Sequence, residues 1–136
     1  MKLLIALALC AISVSAAAQD WVHLGRGGGI EHYADRQSIS TDGKLVSAHV
    51  LEDYKKTRTA RIPKTKERKK YKSSVILAHF DCKEEKWGFT EATDYSGNMG
   101  QGEAVARSKH RLMLETIDPG TVGALRLNFV CARAAR

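Results

Sequence analysis

The stretch 55–72 reads KKTRTARIPKTKERKKYK and carries ten Lys or Arg against a single acid, Glu67. Cations at this density build a local positive potential that attracts sulfated glycans, lipopolysaccharide phosphates or nucleic acid. The candidate contacts are Lys55, Lys56, Arg58, Arg61, Lys64, Lys66, Arg68, Lys69, Lys70 and Lys72. Tyr71 is the one aromatic among them. The interleaved rings on which bases stack are therefore missing, and sulfated or phosphorylated surfaces are expected ahead of sequence-specific nucleic acid. The competing reading is a solvated connection whose charge discourages sheet-edge aggregation.

The remaining reactive side chains form no assembled chemistry. His23, His32, His49, His79 and His110 are too far apart in sequence for a local metal-binding pair. His79 and Cys82 make half of a ligand set at most. His49 and His79 could approach across a hairpin beside Asp81, as an acid–base pair requires, but on alternating strands they more simply occupy a wet face. Gly25–Gly29 has no following Lys-Ser/Thr and opens no helix, so it is not a phosphate loop. Like Ser96–Gly102, it reads as a turn. Ser108–His110 has no nucleophile-elbow context, and Trp21, Tyr33, Tyr54, Trp87 and Tyr95 are expected to serve core packing. No catalytic residue, metal ligand or cofactor is assigned.

The elements around these residues follow from the ends inward. The chain opens MKLLIALALCAISVSAAAQDW: one basic residue, an apolar run Leu3–Val14, then small residues. This pattern predicts a secretory signal peptide over 1–18, too short in its apolar run to span a membrane. Cys10 follows Leu9 inside that run, so a lipid anchor is not expected. What remains, 19–136, is the size of one domain. Cys82 and Cys131 are then an even pair in an oxidising compartment, which favours a disulfide over a metal site or free thiol.

Period-2 patterning dominates the middle of the chain. Val46, Ala48, Val50 and Tyr54 share one face of an extended segment; Ile76, Ala78, Phe80 and Cys82 share another. Trp87, Phe89 and Tyr95 are expected on one side of the next strand. Trp21–Gly25, Ile30–Ala34 and Gly102–His110 complete an antiparallel sheet of about six strands with one wet side. The run 55–72 becomes a long hairpin connection between two strands. The tail LRLNFVCA also alternates, but Asp118 as N-cap and Pro119 at the first helical position favour a helix from Pro119 to about Ala132, with Val122, Leu125 and Phe129 on one face. Cys131 would staple that helix to the sheet through Cys82.

Six pieces in order along 20–131 carry a family resemblance: DWVHLG at Asp20–Gly25, the SI…DG element Ser38–Gly43, LEDYK at Leu51–Lys55, FDC at Phe80–Cys82, TDYSGNMGQGE at Thr93–Glu103, and PGTV…VC at Pro119–Cys131. Together they resemble the bacterial surface-adhesin protein E family. The segment before Pro119 lacks the family's usual tryptophan, and the basic run is longer and more charged. The resemblance implies an exported antiparallel sheet with a C-terminal helix tethered by a disulfide, and attachment to host matrix and serum glycoproteins.

The expectation is thus an α+β protein, exported to the periplasm or cell surface without a lipid anchor or membrane span, and non-enzymatic. It would attach to host extracellular-matrix or serum glycoproteins, or to sulfated or phosphorylated polyanions, through 55–72. The alternative is a periplasmic structural or accessory protein whose basic run is only a solvated connection.

Overall fold

The computed structural model describes residues 18–135, so the expected signal segment lies, but for Ala18, outside the described residues. The chain forms strands β1 (Trp21–Gly27), β2 (Ile30–Asp35), β3 (Ser40–Asp42), β4 (Leu45–Arg61), β5 (Arg68–Asp81), β6 (Lys86–Tyr95), β7 (Ala104–Lys109) and β8 (Glu115–Thr116), then helix α1 (Val122–Ala134). All pairings are antiparallel, in the order β1-β2-β4-β5-β6-β7. β3 continues the edge that β2 occupies on β4, and β8 does the same beside β6. The expected antiparallel sheet of about six strands is present, with two short strands added.

The alternation read along β4 and β5 sets the core. Val46, Ala48, Val50, Ala78 and Phe80 join Ala34, Ile117, Leu127 and Val130 in one buried cluster. Removing these apolar side chains from water supplies the main drive for packing α1 on the sheet. Gly25 lets the helix approach β1: a Cβ there would stand 3.1 Å from Leu125 Cδ1. The opposite face is only partly wet. Leu51 and Ser73 are fully buried because the turn 96–102 folds back over them. Ser73 Oγ donates to Gly97 O (2.6 Å) and accepts from Gly100 N (2.9 Å), while Met99 N donates to Asp53 Oδ1 (2.8 Å).

Three expectations need correction. The basic stretch is not a loop: β4 runs on to Arg61 and β5 begins at Arg68, leaving only Ile62–Glu67 as the connection. Ile62 N donates to Glu67 O and Lys66 N to Ile62 O, both at 2.8 Å. Pro63 pre-sets its φ just inside this turn, and Lys66 takes the left-handed conformation (φ 58°) that closes it. Thr57 and Thr59, β-branched, suit the extended backbone between the cations.

The helix starts later than its sequence cap suggests. Gly120 is left-handed (φ 76°), which breaks the turn after Pro119. Thr121 is the N-cap instead, accepting from Ala124 N at 3.3 Å. The buried stripe is also rotated from the expected one, running through Arg126, Leu127 and Val130, while Leu125 is 45% exposed.

The third correction is a bulge. Leu77 pairs with Glu91 but Ala78 with Phe89, so β6 holds one extra residue there. Alternation inverts across it. Trp87 and Phe89 lie on the side of Phe80 and Ala78, and Tyr95 lies on the side of Ser73.

Cys82 and Cys131 form the expected disulfide, with Cα atoms 5.8 Å apart and a sequence separation of 49. A closed loop of that length contributes about 4 kcal/mol in the chain-entropy treatment. The C82S/C131S chain is expected to lose about 2–5 kcal/mol of unfolding free energy, measured as a lower guanidinium midpoint. An unchanged midpoint would show that helix packing holds without the staple.

Candidate functional site

β2 ends at the pair Ile30↔Tyr54 and β6 ends at Ser73↔Tyr95, whereas β4 and β5 continue together. Their outer halves project from the sheet as a two-stranded ribbon carrying all ten expected contact residues. Between Asp53↔Ser73 and Arg58↔Tyr71 the register shifts, with residues 54–57 facing Lys72 alone. Such a bulge bends the strand and increases its twist. Beyond it the ladder is regular, and directly paired residues share a face. Arg61 and Arg68 stand opposite each other, with Thr59 and Lys70 on the same side; Ala60, Lys69, Arg58 and Tyr71 take the other. Lys64 and Lys66 sit in the turn, Lys55 and Lys56 at the foot.

Lys69 is half-buried and lies 3.8 Å from Glu103. The other nine cations are exposed, and among the described residues none of them has a carboxylate within salt-bridge distance. Arg58 instead covers the Tyr54 ring at 4.0 Å, and Tyr71 meets Tyr54 edge-on at 5.6 Å. The ribbon's charge is therefore presented to solvent without internal compensation.

Tyr54 also joins the ribbon to a buried polar network under α1. Its hydroxyl bonds Glu52 Oε2 (2.8 Å) and Ser74 Oγ (3.1 Å), and Ser74 donates to Asp94 Oδ1 (2.6 Å). Burial, with Glu52 close by, pushes the Tyr54 hydroxyl well above its ordinary range despite the Ser74 bond. Arg126, 5% exposed, donates through Nη2 to Glu52 Oε1 and to His32 Nδ1, both at 3.0 Å. Its guanidinium lies 5.9 Å from the Trp87 ring, and its Nε has no partner among the described residues. Burial alone would raise the Glu52 carboxyl; the Arg126 hydrogen bond and charge outweigh it and hold that carboxyl below its ordinary value. Burial raises Asp94, against the Ser74 bond. A guanidinium can only donate, so His32 must be neutral at Nδ1. Burial and the Arg126 charge keep it so. None of this network was foreseen in sequence, where Arg126 carries no assignment.

The histidine pair considered for catalysis does not assemble. His49 and His79 are diagonal neighbours on one face of β4–β5, but His79 Nε2 bonds Thr90 Oγ1 at 2.8 Å. Asp81 accepts from the backbone of Lys83 and Glu84 and pairs with Lys44. Among the described residues, no group of three His, Cys, Asp or Glu is placed to hold a metal, and no helix is long and apolar enough to cross a membrane.

The sequence matches the family described as surface-adhesin protein E over residues 21–132. In three dimensions the chain is similar to Haemophilus influenzae protein E. One such structure gives a TM-score of 0.62 at 18% identity, covering 82% of this chain and 83% of that one. A second crystal form gives 0.61 at 16%, covering 88% and 100%. Protein E from non-typeable H. influenzae gives 0.59 at 19%, covering 85% and 86%. No curated protein matches the sequence. At these identities the likeness to solved structures carries the fold, and function has to be argued from the residues themselves.

The network under the ribbon makes stability depend on pH in a definite sense. The folded-state value of His32 lies below its ordinary 6.5. As pH falls from 7 to 5 the unfolded chain takes up a proton that the folded chain resists, so stability is lost toward acid. His79, also depressed by burial, adds to the same slope. Glu52 is depressed too, but its contribution is lost only below its ordinary 4.5. Thermal midpoints at pH 7 and pH 5 are expected to differ less in His32→Asn, whose Oδ1 can still accept from Arg126. An equal difference in both chains would rule out His32 as the source.

Proposed function

The chain belongs to the surface-adhesin protein E family, and we propose that it is an exported, non-enzymatic binding protein that attaches to anionic surfaces through the ribbon 55–72. The observation that carries this reading is the set of nine exposed cations without acid partners among the described residues, four of which (Arg58, Arg61, Arg68 and Lys70) stand on paired backbone. The backbone ladder fixes the face from which Arg58, Arg61, Arg68 and Lys70 leave the ribbon, so less backbone order is lost when a partner docks. Partners of matching chemistry are sulfated or phosphorylated polyanions and the host extracellular-matrix or serum glycoproteins associated with them. The opening segment 1–18 serves as the signal peptide and 19–136 as the single working domain, in the periplasm or at the cell surface. Export agrees with the disulfide, which persists in oxidising compartments.

The test uses the oxidised mature chain on immobilised heparin and on immobilised matrix glycoproteins. A variant with Arg61, Lys64, Lys66, Arg68, Lys70 and Lys72 replaced by Ser keeps Arg58 on Tyr54 and leaves the buried network intact. Wild type is expected to bind heparin with an affinity that falls steeply as salt rises, since neutralised anionic groups release their counterions. The variant is expected to lose at least about tenfold in affinity near physiological salt and most of the salt slope. Equal binding by both would reduce the ribbon to a solvated extension, and a periplasmic structural or accessory role would take its place.

A further inference from the structure

The ribbon's foot is concave. The β1–β2 turn Gly28–Gly29 stands on one side and β4 from Tyr54 to Arg58 on the other, with Asn98 at one end. They bound two adjoining clefts of about 410 and 420 Å³ that share Gly29, Tyr54 and Lys55. Each is within the size range of small-ligand sites, about 300–1,000 Å³. The turn is built from two left-handed glycines (φ 60° and 77°), and a Cβ on either would meet nothing within 4 Å. The mouth is therefore open.

The acids in the cleft are already committed. Glu31 bonds His23 (2.6 Å) and pairs with Arg26. Asp53 accepts from Asn98 Nδ2 (3.0 Å) and Met99 N (2.8 Å). Lys55, Lys56 and Arg58 are exposed and have no acid partner among the described residues. The Asp53 charge is met by neutral donors only, but Lys55, Lys56 and Arg58 outnumber it, so the net charge facing this concavity is positive.

The backbone contributes as well. Lys55 N donates to Gly29 O at 3.1 Å, the last tie between β4 and the β1–β2 hairpin. From Lys56 to Arg58 no strand among the described residues runs beside that edge of β4. An open strand edge offers both N–H donors and C=O acceptors. A bare sulfate can use only the donors. A sugar hydroxyl donates and accepts, so a saccharide bearing an anionic group uses both.

From this geometry we propose that the cleft seats one sulfated saccharide unit of a glycan whose remaining length lies along the ribbon. Lys55, Lys56 and Arg58 hold the sulfate, and the free β4 edge meets the ring hydroxyls. The proposal rests on the reading of the ribbon as an anion-contact surface, and deepens it from a diffuse field to a site that takes a single unit.

Backbone amide shifts of the oxidised mature chain are followed by NMR during titration with a sulfated heparin disaccharide, its desulfated form, and inorganic sulfate. Saturable shifts are expected at Gly28, Gly29, Lys55 and Thr57 with the sulfated disaccharide. K55S/K56S is expected to weaken that binding by about tenfold and R61S/R68S, which removes the same charge, by less than about twofold. On polymeric heparin both pairs should lose affinity. Equal losses of disaccharide binding in the two variants, or shifts confined to the ribbon tip, would overturn the cleft while leaving the ribbon as an anion-contact surface. Equal affinity for the desulfated disaccharide, or for sulfate alone, would overturn the ligand class. If wild type bound neither disaccharide nor polymer, the ribbon reading and the cleft would fall together.

Discussion

A guanidinium enclosed between a helix and a sheet is the constraint on which the rest of this fold depends. Arg126 cannot lose its charge, and taking it out of water costs several kcal/mol unless partners meet it. Glu52 from β4 and His32 from β2 supply them. Those contacts set where α1 sits along the sheet as firmly as the apolar contacts of Leu127 and Val130, because a slipped helix would strand the charge. The disulfide then holds the second half of the helix over β5. Two ties, one electrostatic and one covalent, thus fix the angle and rotation of a helix whose hydrophobic stripe alone would leave both loosely specified.

That division explains what was legible in the sequence. The strands of the β4–β5 hairpin were readable because their alternate residues are buried on one face, and any one-residue slip would turn the whole set outward. The disulfide was readable from two cysteines and an exported context. The helix face was not. Val122, Leu125 and Phe129 look like its stripe by apolar spacing, yet Leu125 is exposed and Arg126 is buried. A hydropathy pattern cannot show that an arginine goes inward when its partners lie 74 and 94 residues away. The inversion of β6 was hidden for a similar reason: a bulge is defined by the neighbouring strand, and Trp87, Phe89 and Tyr95 read alone fall at alternate positions of one face.

The site was half legible. Its ten cations were identifiable as residues, but the form they take was not. A run of like charges with a central proline reads as a solvated connection. Tyr71, set against Arg58 and close to Tyr54, marks the continuation of pairing beyond the sheet, and that signal appears only once the register is known. Tyr54 is the hinge between the two halves of the molecule in a physical sense. Its ring carries the cation of the ribbon, and its hydroxyl closes the buried network.

The ribbon's tip runs against the economy of the rest of the fold. Arg61 opposite Arg68 places like charges on directly paired residues, an arrangement that weakens a sheet. Among the described residues no neighbouring strand supports either edge there. Such a ribbon persists because its base is held by the contacts of Arg58 and Tyr71 with the Tyr54 ring and by the core beneath. Its open edges are kept from pairing with other chains by the same charges that weaken it. An anion lying between the strands would relieve that repulsion, so the feature that costs stability in the free protein is the one that favours a polyanion when bound. Stability concentrated in the helix–sheet interface makes it affordable to leave the charged half under-supported, and binding there need not disturb the core.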